Sequence, residues 1–164
     1  MEVKPIGVIH TPFKEARGTP IQPRMAQGAE GTVEVFPEYV DGLKDIGGFE
    51  RIWLLYWFDR APASRLVVTP FMDDVPRGLF STRAPCRPNP IGISCVRLVE
   101  AKGGLLKVSD VDMLDGTPLV DIKPYTARFD HWEVSRNGWL DEPGVNRRTA
   151  DDRFSTGDRS GEEE

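Results

Sequence analysis

The chain has little of several things that would make its function easy to read. Among its 164 residues there are only two cysteines, Cys86 and Cys95, and two histidines, His10 and His131. Two cysteines are too few for a disulfide framework, and the four residues show none of the ligand spacings of a zinc site. No apolar run approaches the ~20 residues of a membrane-spanning helix. The opening residues, Met1 to Pro5, lack the basic-then-apolar layout of a secretion signal. These absences lead to the expectation of a soluble, cytoplasmic protein without a membrane partner. No Walker-type loop is present and no Gly-x-Gly-x-x-Gly follows a strand pattern, which argues against P-loop and dinucleotide chemistry. Ser81 and Ser94 lack a nucleophile elbow. His10 stands beside Thr11-Pro12 and reads as a turn residue rather than a base. A cationic excess is missing too: net charge is -5 and the pI is near 5.2, which weighs against a nucleic-acid partner unless Arg77, Arg83 and Arg87 form a local patch.

Proline and glycine, by contrast, are abundant, at 14 and 16 residues. Proline removes a backbone donor and glycine weakens helices, so many turns and short strands are expected rather than a bundle. Strand patterns run over Val3–Ile9, Thr32–Phe36, Arg51–Phe58, Arg65–Phe71 and Leu119–Ile122. Ile91–Ala101 and Leu105–Val111 flank Lys102-Gly103-Gly104 as a hairpin. Pro37 starts a short helix. The fold class is therefore all-β: a compact antiparallel β-barrel with one or two short helices. It is expected to occupy residues 1–145, with 146–164 a charged, disordered tail too poor in apolar residues to order itself.

Two stretches could carry chemistry. In Arg77–Gly92, Pro85, Pro88 and Pro90 hold the backbone extended and present Arg83, Arg87 and Asn89 from a stiff scaffold. Guanidinium forks match carboxylates and phosphates. A crossover loop with solvated arginines is an equally good reading of these residues by themselves. Cys86 beside Arg87 could be a thiolate, but a small buried thiol fits a tight loop better. In the second stretch, Asp112–Pro118, Asp115 could accept from ribose hydroxyls or simply cap its own turn, and the turn is the more ordinary role.

At these residues the chain resembles the TsaA-like family, also called tRNA N6-adenosine methyltransferases. FSTRAPCRPNPIG (Phe80–Gly92) is similar to that family's defining stretch. DGTPLVDIKPY (Asp115–Tyr125), RIWLLYWFD (Arg51–Asp59) and GTPIQ (Gly18–Gln22) resemble further motifs. The resemblance implies a β-barrel that binds S-adenosyl-L-methionine near a dimer interface and transfers its methyl group to N6 of threonylcarbamoyladenosine next to the tRNA anticodon. Carried onto matching positions, it implies a cofactor shell of Pro20, Ile21, Gln22, Phe58, Asp59, Arg83, Arg87, Asn89, Leu114, Asp115, Gly116 and Thr117. Asp59, Arg83 and Arg87 are the catalytic candidates, with Asp59 or Asp115 as the proton acceptor. No metal is implied. The partners expected are the tRNA anticodon loop and a second copy of the chain. Methylation of a small molecule and cofactor binding without catalysis are the alternatives.

Overall fold

The computed structural model describes residues 2–142 and 147–155. Among the described residues eight strands form, all paired antiparallel: β1 (Gly7–His10), β2 (Glu30–Val35), β3 (Arg51–Trp57), β4 (Val67–Val68), β5 (Arg77–Gly78), β6 (Ile91–Lys102), β7 (Leu105–Ser109) and β8 (Thr117–Pro124). Six of them close a barrel in the order β1-β2-β7-β6-β3-β8, with β1 pairing both β2 and β8, and closure leaves no open sheet edge. β4 and β5 make a separate two-stranded ribbon. The Pro37–Leu43 segment is a 3-10 turn of helix with Pro37 at its start, and the one α-helical turn among the described residues is α1 (Ala127–Asp130), where the Thr126 side chain accepts from the Arg128 amide.

The period-2 alternation of the strands decides what faces inward. On β3, Ile52, Leu54 and Tyr56 point into the core while Trp53, Leu55 and Trp57 are more accessible. On β6, Gly92, Ser94 and Val96 are buried between the outward residues Ile91, Ile93 and Arg97. With Ile9, Val33, Leu106, Val108, Val111, Met113 and Leu119 these side chains fill the barrel. The β6–β7 hairpin turns at Gly103 (φ 55°) and Gly104 (φ 89°), positive at both central positions as its two-residue turn requires.

A second, smaller core of Val68, Leu79, Ala84, Cys86 and Phe154 lies outside the barrel, with Phe71 against it. Phe154 corrects the expectation that the chain is disordered from residue 146 onward. Residues 147–155 fold back as a strap. Thr149 bridges Pro20, Ile21 N donates to Arg148 O at 3.0 Å, and Gly18 N donates to Ala150 O at 3.0 Å. Arg153 Nη1 donates to the carbonyls of Pro70 (2.7 Å) and Asp73 (3.0 Å), and its guanidinium lies 5.9 Å from the Phe71 ring centre. The composition of this stretch is indeed poor in apolar residues. One aromatic anchor and an arginine that satisfies several carbonyls are nevertheless enough to hold it on a preformed surface. Asn146 and residues 156–164 of the expected tail lie outside the described residues. Arg65–Phe71, expected as a strand with Pro70 at its end or at an edge, pairs at Val67–Val68, short of Pro70, which has no amide to donate.

Candidate functional site

The Pro-rich loop is held by its alternate side chains. Thr82, Ala84 and Cys86 are buried, which turns Arg83 outward between them. Two tight closures stiffen the loop further: Arg87 N donates to Pro85 O and Ile91 N to Asn89 O, both at 2.8 Å. Pro90 O in turn accepts from Phe58 N at 2.8 Å, which fixes the loop against the end of β3. Arg83 Nη1 donates to Gln22 Oε1, joining the loop to the segment that the strap ties down.

Arg87 is used differently. Its Nη1 donates to Thr82 O at 3.0 Å and approaches Ala84 O at 3.4 Å, and its guanidinium lies 5.7 Å from the Phe80 ring centre. It is a staple of its own loop, although it borders the same cleft as Arg83. Cys86 is fully buried, and burial pushes its thiol up, opposite to an activated thiolate.

These loops, one mouth of the barrel and the strap enclose a cleft of about 2040 Å3, larger than the roughly 300–1,000 Å3 of ordinary small-molecule pockets. Pro20, Ile21, Gln22, Phe58, Asp59, Arg83, Arg87, Leu114 and Thr117 all line it. Asn89, Asp115 and Gly116 do not. Asn89 is exposed on the loop. Asp115 instead binds the N-terminal segment, accepting from Thr11 N at 3.0 Å and from Lys14 Nζ at 2.5 Å. The Lys14 ammonium and the Thr11 amide hold its carboxyl below the usual carboxylate range, so Asp115 is a poor proton acceptor. Gly116 supplies the positive φ (78°) of that turn.

Inside the barrel mouth is a polar chain, buried at Tyr56 and Ser94 and half-buried at Asp112. Tyr56 OH and Ser94 Oγ are hydrogen-bonded at 3.0 Å, and Ser94 Oγ donates to Asp112 Oδ1 at 2.5 Å. Tyr56 also packs edge-on against Phe58, with ring centres 5.2 Å apart. Burial raises the Tyr56 phenol, and the nearby Asp112 carboxylate adds to that. Burial likewise pushes Asp112 up to about 7, against the opposing pulls of the Ser94 hydrogen bond, its own backbone and the Arg83 charge.

The lining is balanced in charge. Lys14, Arg24, Arg51, Arg60, Arg83 and Arg87 face Glu15, Glu50, Asp59, Asp110, Asp112 and Asp152. The acidic excess of the whole chain therefore sits elsewhere.

Residues 8–131 match the family described as the tRNA-methyltransferase O N-terminal domain. The chain belongs to that family. Within it, the chain is 58% identical over 139 residues to a Pyrococcus abyssi protein named "Probable S-adenosyl-L-methionine-binding protein", covering 85% of this chain and 76% of that one. It is 34% identical over 134 residues to the mouse tRNA (adenine(37)-N6)-methyltransferase, covering 77% of this chain and 31% of the mouse protein. The crystal structure of TrmO from Pseudomonas aeruginosa superimposes with a TM-score of 0.71 at 39% identity, over 84% of this chain and 62% of that one. The chain thus spans less than two thirds of the bacterial structure and about a third of the mouse relative.

For this member of the family, the motif residues Gln22, Phe58 and Arg83 come together from segments far apart in sequence. The sequence reading missed Tyr56, Ser94 and Asp112. One signal was available: Ser94 is a hydroxyl on the inward face of an otherwise apolar strand, and a buried hydroxyl needs a partner.

Proposed function

We propose that the protein is an S-adenosyl-L-methionine-dependent methyltransferase acting on N6 of threonylcarbamoyladenosine beside the tRNA anticodon. The observation that carries this reading is the cleft itself, where apolar Ile21, Phe58 and Leu114 meet Gln22, Arg83 and Asp112 in a space roomy enough for two ligands.

The residues present fit the cofactor. Ile21, Phe58 and Leu114 offer apolar contact to a purine, Gln22 and Thr117 offer amide and hydroxyl groups, and the Phe58 ring and nearby carboxylates suit a cationic sulfonium. When bound, S-adenosyl-L-methionine supplies an activated methyl electrophile, so the protein's task is alignment rather than activation. Arg83 is exposed at the cleft wall and carries the fork that pairs with the threonyl carboxylate of the substrate. The strap and the Pro-rich loop wall the cleft. The charge-balanced lining leaves the cleft itself without the acidic excess of the whole chain.

Relatives named as S-adenosyl-L-methionine-binding proteins and as a tRNA (adenine(37)-N6)-methyltransferase support the reading. Phe129 and Trp132, exposed at 70% and 80% after β8, supply apolar surface for a two-fold dimer, which light scattering at micromolar concentration would detect.

The decisive experiment incubates the protein with methyl-labelled cofactor and bulk tRNA, with and without prior threonylcarbamoylation. Label that enters only the threonylcarbamoylated tRNA supports the function. Transfer to a small molecule alone, or cofactor binding without transfer, replaces it with one of the two alternatives. The demethylated cofactor should also stabilise the fold by ~2.7 kcal/mol at a hundredfold excess over its Kd.

A further inference from the structure

The function above leaves the proton acceptor unassigned. An N6 that belongs to a carbamoyl group has a weakly basic lone pair, so its proton must leave as the methyl arrives. Asp115 is committed to Lys14 and Thr11. Asp59 lines the cleft but is exposed, with Arg60 Nε 3.5 Å away. Neither His10 nor His131 lines the cleft.

Asp112 is placed otherwise. It follows β7 at the barrel mouth, borders the cleft and receives the Ser94 hydroxyl on Oδ1. Toward the ionised Asp112 carboxylate Ser94 gives its one proton, so in that state it can only accept from Tyr56. The order of donation is therefore set: Tyr56 to Ser94 to Asp112. That order orients the carboxylate and leaves it an acceptor toward the cleft.

We infer that Asp112 is the catalytic proton acceptor of this cleft, oriented by Ser94 and Tyr56. This assignment rests on the methyltransferase reading. In the step it serves, the N6–methyl bond forms, the methyl–sulfonium bond breaks with its electron pair left on sulfur, and the N6 proton passes to the Asp112 carboxylate.

The groups that face Asp112 are Tyr56 from β3, Ser94 from β6 and Arg83 from the Pro-rich loop. Burial dominates over the opposing Arg83 charge and lifts the carboxyl to about 7. A base so tuned is stronger than an ordinary carboxylate and still about half ionised at neutral pH. The dry chain behind it also gives the Ser94 and Tyr56 hydroxyls partners inside a largely aliphatic barrel.

The test compares wild type, Asp112→Asn and Ser94→Ala for methyl transfer to threonylcarbamoylated tRNA between pH 5.5 and 9, at about half-unit steps. Affinity for the demethylated cofactor is measured in parallel by calorimetry. The wild-type rate should rise with pH and level off above an inflection near 7, where the carboxylate is fully ionised. Asp112→Asn should lose about a hundredfold or more in rate, lose the inflection and keep its calorimetric affinity. Ser94→Ala removes a hydrogen bond that favours the charged carboxylate, so its inflection should move to higher pH. Independently of activity, the Asp112 carboxyl carbon in the ligand-free protein should titrate near 7 by NMR, and higher in Ser94→Ala.

An active wild type with an equally active Asp112→Asn and the same pH profile would overturn the assignment alone. So would an Asp112→Asn whose lost affinity accounts for its lost rate, which would make Asp112 a cofactor ligand. A wild type that transfers no methyl to the modified tRNA would overturn the function and this assignment together.

Discussion

The ring of Tyr56 occupies the space where residue 92 would carry its side chain. A Cβ on Gly92 would meet Tyr56 Cε2 at 2.2 Å and Cζ at 2.4 Å, and the two residues are direct partners across β3 and β6. The glycine lets an aromatic side chain lie flat against the neighbouring strand inside the barrel. From there the phenol reaches Ser94 at 3.0 Å. A methyl group at residue 92 is incompatible with that pose.

Gly92→Ala should therefore destabilise the fold by about 1–3 kcal/mol, the usual range for overpacking. It should also break the Tyr56–Ser94 bond, because the ring must tilt away. Thermal unfolding measures the first effect. The second appears as a changed tyrosine absorbance in the folded protein.

The strap makes a prediction opposite to the one composition suggests. Phe154 is 8% exposed and meets Phe71 edge-on with ring centres 4.9 Å apart. Phe154→Ala should lower stability by about 3 kcal/mol. Removing residues 147–164 should cost at least as much and weaken binding of the demethylated cofactor, since Ala150, Asp152 and Phe154 border the cleft. Denaturant unfolding and calorimetry check the two halves. An unchanged midpoint after truncation would show that the strap contributes nothing.

Arg83 and Arg87 should separate cleanly. Arg83→Ala should cut methyl transfer at least about tenfold, equal to 1.4 kcal/mol, with little change in Tm. Arg87→Ala should instead lower Tm, because Thr82 O and Ala84 O lose their shared donor. Lysine should rescue neither: a point charge reproduces neither a fork nor a planar group stacked on Phe80. Rate and Tm measured on the same four variants decide the matter.

Stability should also depend on pH through Asp112. Its carboxyl titrates near 7 when folded and near the ordinary value of 3.8 when unfolded. Between those two values the native state holds the extra proton, so this group favours folding at low pH and that contribution is lost as pH rises toward 7. Asp112→Asn removes the dependence. Relative to wild type, the variant should gain about 2–4 kcal/mol on going from pH 4 to pH 8. Urea midpoints at the two pH values give the difference, and parallel curves would contradict it.

The sequence by itself determined the strands and much of the cleft's inventory. RIWLLYW on β3 and the Gly103-Gly104 turn are local signals, set by side-chain alternation and by which residues tolerate positive φ. The three prolines around Arg83 likewise announce a stiff loop through their own covalent geometry. Tertiary structure decided what those signals could not. Arg83 and Arg87 are chemically alike and four residues apart, yet burial of Thr82, Ala84 and Cys86 sends one to the cleft while carbonyls retain the other. Asp112 and Asp115 are just as close, but only Asp112 sits beside the barrel interior, while Lys14 and Thr11 hold Asp115 from a distant segment. The ordering of residues 147–155 depends in the same way on a surface built by other parts of the chain. A residue's environment comes from whichever segments fold against it, and no local pattern encodes those.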